Sequence, residues 1–130
     1  MEANIYFETT EEGGCTCYMQ EDIPGFALFG YGKTPQEAKK DMLKSYEEIK
    51  DTMLQRGETY AELDFIYHYD VQSFFAYFDY LNISKVAEIA GINASLMRRY
   101  SSGTKAGQKQ KEKLSNAISI IIKELSEARL

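Results

Sequence analysis

The chain has 130 residues, enough for one ordinary domain or two small ones, and its 44% hydrophobic content is typical of a folded globular protein rather than a disordered chain. No apolar run approaches the roughly 18 residues that a membrane helix needs, and the first residues lack the basic and then apolar pattern of a signal sequence. We therefore expect a cytoplasmic protein.

The net charge of −5 is divided unevenly along the chain. Residues 1–70 hold fifteen acidic and six basic side chains, which sum to −9, whereas residues 71–130 hold five and nine, which sum to +4. This asymmetry predicts two modules with different partners, and the basic module is a candidate for binding nucleic acid. The alternative is a solvated surface whose charge is simply uneven.

The first part of the chain has the pattern of β-strands. Residues 4–22 alternate apolar and polar side chains on both sides of Gly13-Gly14, which is typical of a β-hairpin. A second turn follows at residues 22–25, and residues 26–32 are again extended in character. We predict three antiparallel strands in a meander.

A helix start follows these strands. Thr34 suits the N-cap and Pro35 the first helical position, while Glu37 is placed to complete a capping box. The pattern predicts a helix from Pro35 to about Gln55, with Gly57 as its stop.

A fourth strand is predicted after this helix, because Leu63, Phe65, Tyr67 and Tyr69 alternate with their neighbours. His68 points away from that stripe. We interpret it as a partly exposed sheet residue rather than a ligand or base, since no second candidate accompanies it.

Residues 27–34, Ala27-x-x-x-x-Gly32-Lys33-Thr34, satisfy a loose form of the phosphate-binding P-loop pattern. In a functional P-loop the lysine and the Ser or Thr lie inside the first turn of the following helix. Here Thr34 is better used as the N-cap and Lys33 precedes the helix, and the sheet is too small for such a domain. We expect neither a nucleotide nor another cofactor.

Cys15 and Cys17 are the only cysteines, and they are too close in sequence for an ordinary disulfide. Only His68 is available to join them on a metal. We expect reduced side chains on one face of a strand and no metal site, with zinc as the lesser alternative.

Catalysis by the first module would require carboxylates clustered around a metal. The candidates lie at strand ends or far from one another in the predicted elements, with no motif joining them: Glu8, Glu21, Asp22 and Asp64. We therefore predict that the chain is not an enzyme.

From residue 71 onward the apolar period becomes helical, which predicts a second module of four helices with the boundary near Asp70. Residues 83–103 have the spacing of a helix-turn-helix, with Ala87 allowing two helices to approach, Gly91 at the turn and Asn93 capping the second helix. The apolar side chains that can face inward together are Val86, Ala90, Ile92, Met97 and Tyr100.

The stretch "VAEIAGINASLMRRYSSG", residues 86–103, resembles the Xre/Cro-type repressor pattern, in which alanine, glycine, a buried apolar residue, an aromatic residue and a closing glycine recur in that order. The resemblance implies a recognition helix in the major groove, with guanine paired to Arg98 or Arg99. The residues it places on or beside the DNA-facing surface are Asn93, Ala94, Ser95, Arg98, Arg99, Ser102 and Lys105.

Two further features of this segment bear on the DNA binding that the resemblance implies. Lys105 is followed by Lys109, Lys111 and Lys113, which would attract phosphates regardless of sequence. Ala94 and Leu96 stand where polar residues are common, so few side chains are left to read bases and we expect modest specificity or help from flanking segments. The alternative is that any compact three-helix segment with a glycine turn has this pattern.

The stretch "EDIPGFALFGYGKTPQEAKKDMLKSYEEI" resembles the HicB-type antitoxin domain, whose hallmark is a Pro-Gly turn, an extended segment and then Thr-x-x-Glu-Ala opening a helix. Those residues are here Pro24-Gly25, Thr34 and Glu37-Ala38. The resemblance covers about residues 3–69. It implies a partial ribonuclease-H-like domain whose partner is a small basic ribonuclease toxin of the HicA type, and a −9 module suits a basic partner.

The last predicted helix has an apolar stripe that can close the core of the second module, with Ile120 on nearly the opposite side. The stripe consists of Leu114, Ile118, Ile121, Ile122 and Leu125. Repressors of this kind read two half-sites about 34 Å apart as two-fold dimers, so we predict a homodimer to which this helix contributes. A tolerated surface isoleucine is the alternative.

Together these patterns predict an α+β chain. A small antiparallel sheet with one packed helix, in the order βββαβ, forms a HicB-like toxin-binding domain at residues 1–70, and an all-α helix-turn-helix domain with a C-terminal helix follows at 71–130. The function implied is that of an antitoxin of a type II toxin–antitoxin module, which sequesters its toxin and represses its own operon by binding operator DNA. The alternative is a stand-alone helix-turn-helix regulator whose first domain senses a ligand or dimerises.

Overall fold

The structure, a computed structural model, describes residues 1–130 and is α+β, with one four-stranded sheet and five helices. It divides into two compact units, Met1–Tyr77 and Phe78–Leu130. The elements in chain order are β1 (Glu2–Thr9), β2 (Cys15–Met19), β3 (Phe29–Gly32), α1 (Pro35–Gln55), β4 (Asp64–His68), α2 (Val71–Tyr77), α3 (Ile83–Ala90), α4 (Ala94–Ser101) and α5 (Gln108–Glu127).

The sheet of the first unit has the strand order β3-β2-β1-β4. The pairs β1–β2 and β2–β3 are antiparallel, but β1 and β4 are parallel. The sheet is therefore mixed, and the expectation of an antiparallel sheet was wrong. The reason is that α1 carries the chain back between β3 and β4, so β4 enters the sheet in the direction of β1, and a period-two pattern does not encode strand direction.

Both predicted turns of the meander contain a glycine in the left-handed region. Gly13, in the β1–β2 hairpin, has φ of 89°. Gly25 has φ of 86°, and the turn around it is closed by a 2.9 Å hydrogen bond from the Phe26 N–H to the Ile23 carbonyl. Glycine adopts this conformation without the steric cost that other residues incur.

Helix α1 runs from Pro35 to Gln55, as predicted. The Thr34 hydroxyl accepts a 3.2 Å hydrogen bond from the Glu37 N–H, and the Glu37 carboxylate accepts one of 2.8 Å from the Lys33 N–H. In a standard capping box the carboxylate would bind the N-cap's own N–H, so the reciprocal bond here reaches one residue further back. At the other end, Gly57 has φ of 71° and terminates the helix.

One face of the sheet packs against α1 and forms the core of the first unit. Two glycines on β3 allow this close approach. A Cβ atom at Gly30 would collide with the Ala38 carbonyl oxygen, and one at Gly32 would collide with Glu37. The buried core residues are Ala3, Ile5, Phe7, Cys15, Cys17, Phe26, Leu28, Ala38, Met42, Tyr46 and Leu63.

The first unit extends to Tyr77, past the boundary expected near Asp70. Hydrogen bonds at both ends of α2 connect this helix to the rest of the first unit. The Asp70 carboxylate accepts hydrogen bonds from the Ser73 N–H at 2.7 Å and from the Thr9 N–H at 3.3 Å. At the other end, the Gln36 side-chain amide donates to the carbonyls of Ala76 at 3.0 Å and Tyr77 at 2.8 Å. This helix therefore belongs to the first unit although its period is that of the helices that follow.

The second unit is helical, and α3 packs against both α4 and α5. Its buried apolar residues are Val86, Ala87, Ile92, Met97, Tyr100, Leu114 and Ala117. Of the stripe expected on α5, only Leu114 is buried; Ile122 is 60% exposed and Leu125 is 68% exposed. The distal half of the stripe therefore does not close the core, contrary to the expectation. None of the helices combines the length and the apolar character required to cross a membrane.

Candidate nucleic-acid interface

The turn between α3 and α4 is built around Gly91. Gly91 has φ of 70° and ψ of 32°, the left-handed conformation that ends many helices. Its N–H donates to the Glu88 carbonyl at 3.2 Å, and the Ile92 N–H donates to the Ala87 carbonyl at 3.0 Å. Ile92 is only 7% exposed, so it fastens the turn to the core of the unit.

Helix α4 begins at Ala94, after the cap formed by Asn93. The Asn93 Oδ1 atom accepts hydrogen bonds from the Ser95 N–H at 2.9 Å and the Leu96 N–H at 3.3 Å. These bonds satisfy N–H groups that a helix start otherwise leaves without partners. The Asn93 oxygen is therefore occupied, and only its side-chain NH₂ is free to contact a base or a phosphate.

The two sides of α4 have different roles. Met97 is fully buried and Tyr100 is 8% exposed, so these two side chains define the inner face. Successive helical residues are rotated by about 100° around the helix axis, so four residues of α4 point away from this inner face. The residues of this outer face, all predicted site residues, are Ser95, Arg98, Arg99 and Ser102; Asn93 lies before it, and Ala94 lies half-buried on its flank.

The two arginines of the outer face differ in their contacts. The Arg98 guanidinium donates to the Ser84 hydroxyl on α3 at 3.0 Å and to the Ser95 hydroxyl at 3.3 Å. The Arg99 guanidinium is exposed and makes neither a hydrogen bond nor an ion pair within the chain. Arg98 is thus partly preorganised, whereas Arg99 is available to an incoming ligand. Ser84 was not predicted, because it contributes from a different helix.

Further positive charge follows α4. Lys105, Lys109 and Lys111 are exposed and Lys113 is half-buried. The ion pair of the second unit joins Lys85 to Glu88 at 3.5 Å, so none of these four lysines is paired with a carboxylate. Their ammonium groups are therefore available to attract phosphates.

The cysteines of the first unit are free thiols buried on the α1 side of the sheet. Burial raises the pKa of the Cys15 thiol to about 11 and that of Cys17 to about 12. Cys17 lies across from Phe7 on β1, whereas His68 lies across from the adjacent Tyr6, so the histidine is on the opposite face of the sheet. Cys17 and His68 therefore cannot share a metal ion, and the neutral thiols are poor nucleophiles.

The carboxylates considered for a nuclease are separated along the sheet. Asp64 pairs with Glu2 at one end of β1, and Glu8 is near the other end, about 20 Å away at 3.3 Å per residue. The Glu21 carboxylate accepts bonds from the Asn4 side-chain amide at 2.6 Å and the Asn4 N–H at 2.8 Å. These bonds lower the pKa of Glu21. No group of three or more His, Cys, Asp or Glu side chains is placed to hold a metal ion.

The P-loop-like segment has no cradle for a phosphate. The Lys33 N–H is bonded to the Glu37 carboxylate, and the backbone at Gly32 packs directly against Glu37. A phosphate approaching here would have to replace a carboxylate that already uses the available donor. The segment serves to join β3 to α1.

No protein-family model, curated protein or solved structure matches this chain.

Proposed function

We propose that this protein is a non-enzymatic antitoxin and autorepressor of a type II toxin–antitoxin module. The second unit binds operator DNA, and the first unit sequesters a small basic ribonuclease toxin of the HicA type. The observation that carries the DNA-binding half is the outer face of α4, where Arg98 and Arg99 are exposed opposite the buried Met97 and Tyr100. Operator binding places the protein in the cytoplasm.

The geometry of the second unit supports this role. Two short helices joined by a tight glycine turn present one solvent-facing surface, and that surface carries two arginines and two serines. Arginine can bond two atoms of guanine at once in the major groove, and lysines beyond the helix supply affinity that is independent of sequence. The neutral Ala94 at the start of α4 and the capping role of Asn93 leave Arg98 and Arg99 as the principal readers.

The first unit supports the toxin-binding half by its order of elements and its charge. Three strands, a capped helix and a fourth strand follow one another along this unit. We propose toxin binding here on the HicB-type resemblance of residues 3–69. The unit carries fifteen acidic and six basic side chains, a net charge of −9. Opposite charge on a partner increases the rate of association and favours that partner over others.

A homodimer completes the proposal, since a repressor of this class reads two related half-sites. The apolar residues of α5 that continue past its packed part are spaced by three and four, as in helices that pair with each other. They are Ile118, Ile121, Ile122 and Leu125, following the buried Leu114. We place the dimer contact on this stripe rather than on Ile120 alone.

DNA binding is tested by an electrophoretic shift with the duplex upstream of this chain's own reading frame and a random duplex of equal length. Arg99→Ala should weaken binding to the upstream duplex by about 1–3 kcal/mol, roughly 5- to 150-fold, and reduce the preference for that duplex over the random one. The matched control is Arg56→Ala, an exposed arginine of the first unit, which should leave binding unchanged. Equal affinity of wild type and Arg99→Ala for the upstream duplex would refute the site.

The toxin-binding half is tested by co-expression with the gene adjoining this chain's own. A stable complex with a small basic protein, together with suppression of that protein's ribonuclease activity, is the expected result. A free chain under these conditions would favour the stand-alone regulator.

A further inference from the structure

The face of the sheet that α1 leaves uncovered carries a row of rings across all four strands. Phe29 on β3 pairs with Tyr18 on β2, Tyr18 pairs with Tyr6 on β1, and Tyr6 pairs with His68 on β4. The rings of Tyr6 and His68 stack with centroids 4.4 Å apart, and those of Tyr6 and Tyr18 lie 5.9 Å apart. Cross-strand pairs have their side chains on the same face, so these four rings form one continuous strip.

Much of this strip is open to solvent. Phe29 is 56% exposed and Tyr18 is 37% exposed, and beside them Tyr31 is 54% and Ile66 is 39% exposed. The solvent face of a sheet is ordinarily polar, and a contiguous apolar patch on such a face marks an interaction site. We call this patch the outer sheet face; it consists of Tyr6, Tyr18, Phe29, Tyr31, Ile66 and His68.

The charged side chains that the strands place on the same side of the sheet are acidic. The alternation of β1 and β4 places Glu2, Glu8 and Asp64 on this face, and none of the four strands contains a lysine or an arginine. The cation in contact with these carboxylates is the N-terminal ammonium, 3.9 Å from the Asp64 Oδ2 atom. The Glu8 carboxylate accepts a 3.3 Å hydrogen bond from the Tyr18 hydroxyl. Glu21 also contacts this face, because its carboxylate accepts a hydrogen bond from the Asn4 side-chain amide. The side-chain oxygen of Asn4 in turn lies 2.7 Å from the His68 Nε2 atom. Carboxylates and rings are therefore interleaved.

The combination of exposed rings and carboxylates favours one class of binding partner over others. Stacked bases would suit the rings, but the phosphates of a nucleic acid would meet four carboxylates, against which the N-terminal ammonium at Asp64 supplies a single positive charge. A second copy of the same face would bring acidic groups against acidic groups. Arginine suits both features, because its planar guanidinium stacks on aromatic rings and bonds carboxylates in a fork.

We propose that the outer sheet face docks a basic protein surface that presents arginine side chains. This inference rests on the proposed function for the existence of a basic protein partner, and it adds where that partner binds and what its contact residues are. The α1 side of the first unit is then a scaffold rather than a contact surface.

The probes are an oligoarginine peptide and an oligolysine peptide of equal length, titrated into the isotope-labelled full chain and followed by NMR. The largest shifts should lie on β1 to β4 at outer-face positions, and oligoarginine should bind about two- to fivefold more tightly than oligolysine, the difference expected of exposed cation–π contacts. Tyr18→Ala/Phe29→Ala, at two exposed positions, should abolish this preference while the spectrum remains that of a folded chain.

Charge-matched variants separate docking from general attraction to an acidic protein. Glu2→Gln/Glu8→Gln, at two exposed outer-face positions, should weaken oligoarginine binding at least about threefold, consistent with loss of two exposed ion pairs. Glu48→Gln/Asp51→Asn removes the same charge from exposed positions on α1 and should not. Equal losses in both variants, or equal binding of the two peptides, would overturn the proposal.

Two further outcomes would overturn it as well. One is binding of a single-stranded oligonucleotide at the outer sheet face, and the other is self-association that Tyr18→Ala/Phe29→Ala disrupts. If the co-expressed basic protein binds wild type and this double variant equally, the surface is wrong while the proposed function stands. If the peptides behave as expected but no upstream duplex binds, the proposed function fails and the docking surface stands.

Discussion

Asn4 and Glu21 form a polar cluster at one end of the β1–β2 pair. Asn4 donates to the Glu21 carboxylate from both its backbone and its side chain, and these bonds lower the pKa of Glu21 below its ordinary value of 4.5. A carboxyl group whose pKa is lower in the folded state stabilises the fold above its unfolded pKa. That contribution is lost as the pH falls through the folded value.

Glu21→Gln should therefore lower the free energy of unfolding near neutral pH. The difference from wild type should shrink as the pH falls below 4.5, because the wild-type carboxylate is then protonated. Urea unfolding over a pH series measures this. Glu48→Gln, at an exposed position of α1, is the control and should show no such trend; a Glu21→Gln effect that is the same at all pH values would contradict the assignment.

The contacts of a single residue can be predicted from the sequence when its partners lie close to it along the chain. The cap of Thr34, the turn at Gly91 and the cap of Asn93 all depend on groups within a few residues. The bond between Arg98 and Ser84 joins two helices, and it could be found only once their packing was known.

The turn between α3 and α4 is the element on which the proposed interface depends. Gly91 has a positive φ, and a Cβ added there would meet nothing within 4 Å, so the cost of substitution is conformational rather than steric. Asparagine tolerates this conformation, whereas a β-branched residue does not.

Gly91→Asn should therefore unfold within a few tenths of a kcal/mol of wild type, while Gly91→Val should be less stable by about 1–2 kcal/mol or more. The upstream duplex should bind Gly91→Asn nearly normally and Gly91→Val weakly, because the turn orients α4. Chemical unfolding and the electrophoretic shift check both statements. A Gly91→Val chain with wild-type stability would show that the turn is not strained.

Element types and ends were largely predictable, whereas their assembly was not. The caps define α1, but nothing in the alternation of residues 64–68 specifies that β4 lies parallel to β1. Likewise α2 has a helical period like α3 to α5, and only the bonds of Asp70 and Gln36 assign it to the first unit. The alternation of apolar and polar residues predicted the inner face of the sheet, but it did not predict the aromatic rings on the outer face.

At the scale of the whole molecule, the division of charge coincides with the division into units. Residues 1–77 sum to −9 and residues 78–130 to +4, because residues 71–77 carry no charge. Acidic and basic surfaces on one chain suit a protein with two partners of opposite charge. The proposed antitoxin has such partners in a basic toxin and an operator.

The exposed stripe of α5 predicts a dimer of the 14.9 kDa chain. Ile122→Lys/Leu125→Lys replaces two exposed apolar residues and should raise the dimer dissociation constant at least about tenfold, since each loses more than about 1 kcal/mol of burial. Ser119→Lys/Ser126→Lys, at exposed positions away from the stripe, is the control. Analytical ultracentrifugation measures both, and a monomeric wild type at micromolar concentration would contradict the dimer.

The most direct test of the account is an NMR titration of the labelled full chain with the duplex from upstream of its own reading frame. We predict that the largest amide shifts lie in residues 93–105, with smaller ones at the start of α5, and that Arg99→Ala reduces them. Shifts concentrated in residues 1–77, or no shifts with the duplex in excess, would contradict the claim that the outer face of α4 binds DNA.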